Sequence, residues 1–148
     1  MTTNDVINRH NYVTKIKLKS DSAELSKALK IKIMKMRIEY SKIRKQFDED
    51  TQAFIQETIT DEFKELSNKQ RNEEEEARFK ELDAKFTRDL NLYAVERSKD
   101  EVVVNDYTFN DEEFGELIEV NADNNVEINN IKLSAADFLE GLYILFGE

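Results

Sequence analysis

The chain of 148 residues is 39% hydrophobic and 36% charged, enough for one modest core surrounded by solvated helical surface. A net charge of -10, no cysteine and only three glycines exclude a disulfide scaffold, a cysteine metal site and a glycine-rich phosphate loop. The opening residues are too polar for a signal peptide and no stretch approaches 18 apolar residues, so a soluble protein of intracellular origin, whether cellular or viral, is expected.

The charge is unevenly spread. Residues 1–47 hold 12 Lys or Arg against 4 Asp or Glu, and residues 48–148 hold 10 against 28. The plain reading is two regions folded onto each other and neutralising internally. The sharper one is a basic surface for nucleic acid or for an acidic protein, which the acidic remainder of the chain opposes in the case of phosphate.

In chain order, Asn4 or Thr3 can cap a short opening helix with Val6, His10, Val13 and Ile16 on one side. His10 is the only histidine, and Ile7 and Thr14 stand where further ligands on the same helix face would have to be, so it reads as a boundary residue rather than a metal ligand. Ser20-Asp21-Ser22 interrupts, and Asp21 or Ser22 can cap a second helix.

This second helix is the longest element, Ser22 to Leu66, without a proline or a glycine. Leu29, Ile33, Met36, Tyr40, Ile43, Phe47, Asp50 and Phe54 alternate in steps of four and three, the repeat of a helix that keeps one seam against a partner helix. Asp50 alone breaks the seam. Ile31, Met34 and Ile38 add a second stripe, so residues 29–43 are expected to lie between two neighbours. A straight helix of this length would measure about 67 Å, longer than a compact domain of this size, so it must project or break, and Asp48-Glu49-Asp50 is the expected break.

Asn68 to Glu76 contains no apolar residue and reads as a turn. Its glutamates suit the positive end of a helix dipole. Phe79, Leu82, Phe86, Leu90 and Tyr93 recur at helical spacing, predicting a further helix over residues 74–96 that packs antiparallel on the long one.

Beyond Ser98 the composition turns β-branched and aromatic. Val102-Val103-Val104 and Tyr107-Thr108-Phe109 predict a short strand or hairpin. Asn110 caps a brief helix over residues 111–120, weakened by Gly115. Val126 to Ile128 and Ile131 to Leu133 predict a strand pair about Asn129-Asn130. Oxygen-bearing side chains alternate from Asn121 to Asn129 but lack the glycine and the closing glutamate of a calcium loop. Ser134 starts a last helix in which Phe138, Leu139, Leu142, Tyr143, Ile144, Leu145 and Phe146 leave hardly a polar side, so burial against residues 29–43 or another chain is expected.

No dinucleotide fingerprint, nucleophile elbow or nucleic-acid module is present, so no catalytic or cofactor residue can be assigned. The expected architecture is α+β and predominantly α. A long antiparallel helical hairpin with a short opening helix spans residues 1–98, and a small α+β part, residues 99–148, packs on it.

The stretches AELSKALKIKIMKMRIEY, EVVVND and VEINNIKLSAADFLEGL, in this order, resemble a loose class of small bacteriophage proteins without agreed activity. That resemblance implies a phage setting, in a virion or a host cytoplasm, and carries over no functional residue. The expected function is a non-enzymatic protein-protein interaction module, a small virion or virion-assembly component that associates with itself or with other virion proteins. Its expected contact residues are Leu29, Ile33, Met36, Tyr40, Ile43, Phe47, Phe54, Phe79, Phe86, Phe138, Leu142 and Phe146. The alternatives are an acidic inhibitor that mimics nucleic acid and a nucleic-acid-associated protein using the lysines of residues 15–45.

Overall fold

A computed structural model describes all 148 residues. It is 67% helical, an α+β protein with six helices and one two-stranded antiparallel sheet.

Helix α1 (Thr3–Val13) is capped by Thr2, one residue before Thr3 and two before Asn4, the caps expected. The Thr2 hydroxyl accepts the Asp5 N–H at 3.2 Å while the Asp5 carboxylate accepts the Thr2 N–H at 2.9 Å, a reciprocal capping box. The expected start of the long helix at Asp21 or Ser22 is corrected by the structure. The Leu25 N–H donates to the Leu18 carbonyl at 3.0 Å, which keeps residues 18–25 in a turn, and Ser26 caps α2 (Lys27–Thr58) by accepting the Leu29 N–H at 3.3 Å.

The break also falls elsewhere. Helix α2 runs intact through Asp48-Glu49-Asp50, because Arg97 pairs with the Asp50 carboxylate at 2.5 Å and Gln46 donates to it at 2.8 Å. It stops at Ile59, whose backbone is extended. Thr60 then caps the short α3 (Asp61–Ser67) by accepting the Phe63 N–H at 3.1 Å, with Asp61 and Glu62 in the first turn.

Helix α4 (Glu73–Ser98) starts in a capping box between Asn72 and Glu75, with four glutamates over its first turn. Arg71 closes the preceding loop: it lies 3.9 Å from the Phe79 ring centroid and donates to the Leu66 carbonyl at 2.7 Å. The return is antiparallel, as the aromatic spacing predicts. Phe54 stacks on Tyr93 at 4.2 Å, Phe63 meets Phe79 at 5.4 Å and Phe86 at 5.7 Å, and Arg78 pairs with Glu62 at 2.7 Å. None of the side chains of α4 is fully buried, so the distal part of α2 with α3 and α4 forms a thin arm.

The remaining elements form the body: α5 (Asp111–Asn121), β1 (Val126–Ile128), β2 (Ile131–Leu133) and α6 (Ala135–Phe146). Asn129 and Asn130 both adopt positive φ, 53° and 65°, as a two-residue hairpin turn requires. Residues 102–109 form no sheet, contrary to expectation. They form a strap without regular structure between isolated bridges from Glu101 to Thr2 and from Phe109 to Gly147, with Val103 fully exposed and Phe109 buried in the core.

Val6, Leu29, Ile33, Met36, Tyr40, Phe109, Leu117, Phe138, Leu142 and Phe146 belong to one core. Helix α6 shares that core with residues 29–40 of α2, but its principal helix neighbours are α1 and α5, and the expected burial of nearly every side is corrected: Tyr143 and Ile144 face solvent.

Candidate interaction surface

The contact residues expected from sequence divide into two groups. Leu29, Ile33, Met36, Tyr40, Phe138, Leu142 and Phe146 lie buried together in the body, which leaves them no free surface. Ile43 and Phe47 line an open cleft of about 400 Å³ with Thr3, Arg97 and Val102, while Phe54, Phe79 and Phe86 sit half-buried in the arm.

The second stripe of α2 is the exception. A helix turns 3.6 residues per cycle, so Ile31, Met34 and Ile38 lie on the side opposite the buried seam. They are 43%, 52% and 54% exposed. Of the two neighbours expected for residues 29–43, the chain itself therefore supplies only the one that covers the buried seam. Lys27, Lys35 and Lys42 are exposed on the same side and make no ion pair. Glu39, the only carboxylate on this stretch of α2, is turned toward the strap, where it accepts from the Asn105 N–H at 2.7 Å and the Tyr107 hydroxyl at 2.9 Å.

Internal neutralisation is slight. Side-chain ion pairs between residues 1–47 and the acidic remainder are Arg9 with Asp106 at 3.9 Å, Lys32 with Glu113 at 3.0 Å and the local pair Lys45 with Glu49 at 3.9 Å. Arg37 is instead bound to carbonyls at the end of α1, donating to Val13 at 3.0 Å and Ile16 at 2.7 Å, and so terminates that helix as a cationic cap.

A second uncovered surface lies between α5 and α6. Phe114, Ile118, Leu139 and Tyr143 line a groove of about 440 Å³ bordered by Asp111 and Glu140. Gly115 lies along it with open space where a side chain would be. Helices α5 and α6 carry seven carboxylates and no Lys or Arg. No sequence pattern marks this groove, because its two walls come from segments 14 residues apart whose packing only the fold defines.

Elsewhere the electrostatics is structural. Hydrogen bonds from Thr2 hold the Asp5 carboxyl below its ordinary value. Burial would raise Glu39, but the donors Asn105 and Tyr107 prevail and lower it. His10 lies below its ordinary value because it is partly buried and faces Arg44 and Arg37. No three His, Cys, Asp or Glu side chains converge as a metal site would require, and no helix is long and apolar enough to cross a membrane.

No protein-family model matches the chain, and neither a curated protein nor a solved structure is significantly similar to it.

Proposed function

We propose that the chain is a non-enzymatic protein-binding module, a small phage virion or virion-assembly component. The observation that carries this reading is the uncovered stripe Ile31, Met34 and Ile38 with its unpaired lysines. Anchors at positions i, i+3 and i+7 of a rigid helix are what a polypeptide groove takes up. A phosphate-binding face would put cations or backbone N–H groups at its centre, where this one has a thioether between two isoleucines. The phage setting comes from the resemblance in chain arrangement.

The test is recovery of the tagged full chain from its native host, wild type against the Met34→Asp/Ile38→Asp variant. A polypeptide bound in stoichiometric amount by the wild type and lost from the variant is the expected result. Equal recovery by both, or recovery of nucleic acid in place of a polypeptide, overturns it.

A further inference from the structure

We propose that the occupant of the α2 stripe is a second copy of this chain, which receives it in the groove between α5 and α6. This inference rests on the protein-binding reading and names its partner. The two surfaces are complementary in shape and in charge. The stripe presents Ile31, Met34 and Ile38 along a convex helix, and the groove presents Ile118, Leu139 and Tyr143 along a concave seam between two helices. Lys27, Lys35 and Lys42 flank the stripe, whereas Asp111 and Glu140 flank the groove, and none of the five makes an ion pair within its own chain.

Charge also selects the pairing. Stripe against stripe would set lysines against lysines, and groove against groove would set carboxylates against carboxylates; both arrangements repel. Stripe into groove joins opposite signs around an apolar centre. Stripe and groove are separate surfaces of one copy and both are open to solvent, so one copy can offer each to a different neighbour. Made head to tail between successive copies, such a contact generates a ring or a filament.

The contact is small. A stripe about 24 Å long and about 10 Å wide covers far less than the roughly 800 Å² per partner of a standard stable interface. Association is therefore weak in dilute solution and strengthens wherever copies are concentrated or held in an array.

Because the chain has no cysteine, the geometry can be read by single introduced thiols. Ile38→Cys and Ile118→Cys full-length proteins are mixed in equal amounts and treated with a short bifunctional thiol reagent. A 38–118 product dominating over the 38–38 and 118–118 products is expected. Light scattering from micromolar to millimolar concentration should show growth beyond a dimer, reduced several-fold by Lys35→Glu or by Glu140→Lys and restored when those two variants are mixed. Gly115→Gln fills the groove from a position with free space, so it should keep the fold and lose association.

A monomer throughout the range, or a dominant 38–38 product, overturns the head-to-tail contact. If the monomer instead shifts labelled DNA or binds anionic vesicles and Lys35→Glu removes that binding, the stripe serves a polyanion and the proposal falls. Failure here is separable from failure of the protein-binding reading: a monomeric chain that loses a different, stoichiometric polypeptide upon Met34→Asp/Ile38→Asp sinks only the self-association.

Discussion

The ring of Tyr12 occupies the space in which a side chain at position 141 would begin: a Cβ on Gly141 would stand 2.5 Å from Tyr12 Cε1 and 2.8 Å from the Tyr12 hydroxyl oxygen. Phe138 stacks on that ring at 5.8 Å and restricts its retreat, so α1 and α6 approach as closely as they do only because residue 141 is glycine. Gly141→Ala is expected to destabilise by about 1–3 kcal/mol in urea unfolding, an overpacking effect. Gly115→Ala is the internal control. Nothing lies within 4 Å of its Cβ position, and the change should stabilise by roughly 0.5–1 kcal/mol through helix propensity.

Asn121 ties the end of α5 to the loop after α1. Its Oδ1 accepts from the Lys17 N–H and from Asn124 Nδ2, each at 2.8 Å, and its Nδ2 donates to the carbonyls of Lys17 at 3.2 Å and Leu117 at 3.1 Å. Removing the amide strands several buried groups together, so Asn121→Leu should reduce stability by about 2–4 kcal/mol. Asn121→Asp should be at least as damaging, since a carboxylate would face two carbonyl oxygens. Chemical denaturation of both variants checks the order.

Tyr40 is fully buried, and its hydroxyl faces the Arg9 guanidinium without well-formed hydrogen-bond geometry. Burial pushes the phenol above its ordinary pKa, so it stays neutral, and its ring makes an edge contact with Tyr107 at 6.2 Å. The packing, not the oxygen, holds the residue in place. Tyr40→Phe should change stability by no more than about 1 kcal/mol, because a poorly satisfied polar atom disappears together with its weak contact to Arg9. Tyr40→Ala should cost about 3–5 kcal/mol by opening a cavity. Thermal melts of the two variants separate these contributions.

His10 gives the body a dependence on pH near neutrality. Burial, then Arg44 and Arg37, hold its pKa below the ordinary 6.5, against a weaker opposite pull from Asp48. As pH falls, the unfolded chain takes up this proton before the folded one does. The stability that depends on neutral His10 is complete above the unfolded value and is lost as pH falls from about 6.5 toward the folded pKa. Melting temperature should therefore drop on acidification through that window, and His10→Gln should flatten the drop. Asp5 and Glu39, held below 3.8 and 4.5, lose their contributions only at lower pH and leave the His10 window distinct.

The hairpin is readable in the sequence because Phe47 and Phe54 on one segment and Phe79, Phe86 and Tyr93 on the other recur at helical spacing on either side of a polar turn, and aromatic rings have few other ways to leave water. The caps at Asn110 and Ser134 and the turn at Asn129-Asn130 are equally plain, since each depends on one local side chain or backbone preference. The break lies beyond its expected place because three acidic residues are compatible with a helix once Arg97, 47 positions away, answers Asp50. The true stop is marked only by Thr60 and the acids behind it, a signal without glycine or proline. Valine-rich residues 102–104 have the composition of a strand, but β propensity yields a sheet only where a partner edge exists, and here the neighbours are helices. The α5–α6 groove and the Asn121 bonds are relations between distant segments, and no local pattern encodes them.

The thinness of the arm implies two levels of resistance to opening. Backbone amides in α4 are screened by half-covered rings and exposed ion pairs, whereas those in the central turns of α2 lie against side chains with almost no solvent contact. Deuterium uptake should therefore reach residues 73–92 well before residues 29–40, and a protease should first cut near Asn68–Asn72, unzipping one end while the other holds. A binding partner that gripped only the arm would inherit its breathing, while one seated on the back of α2 would meet a surface that scarcely moves.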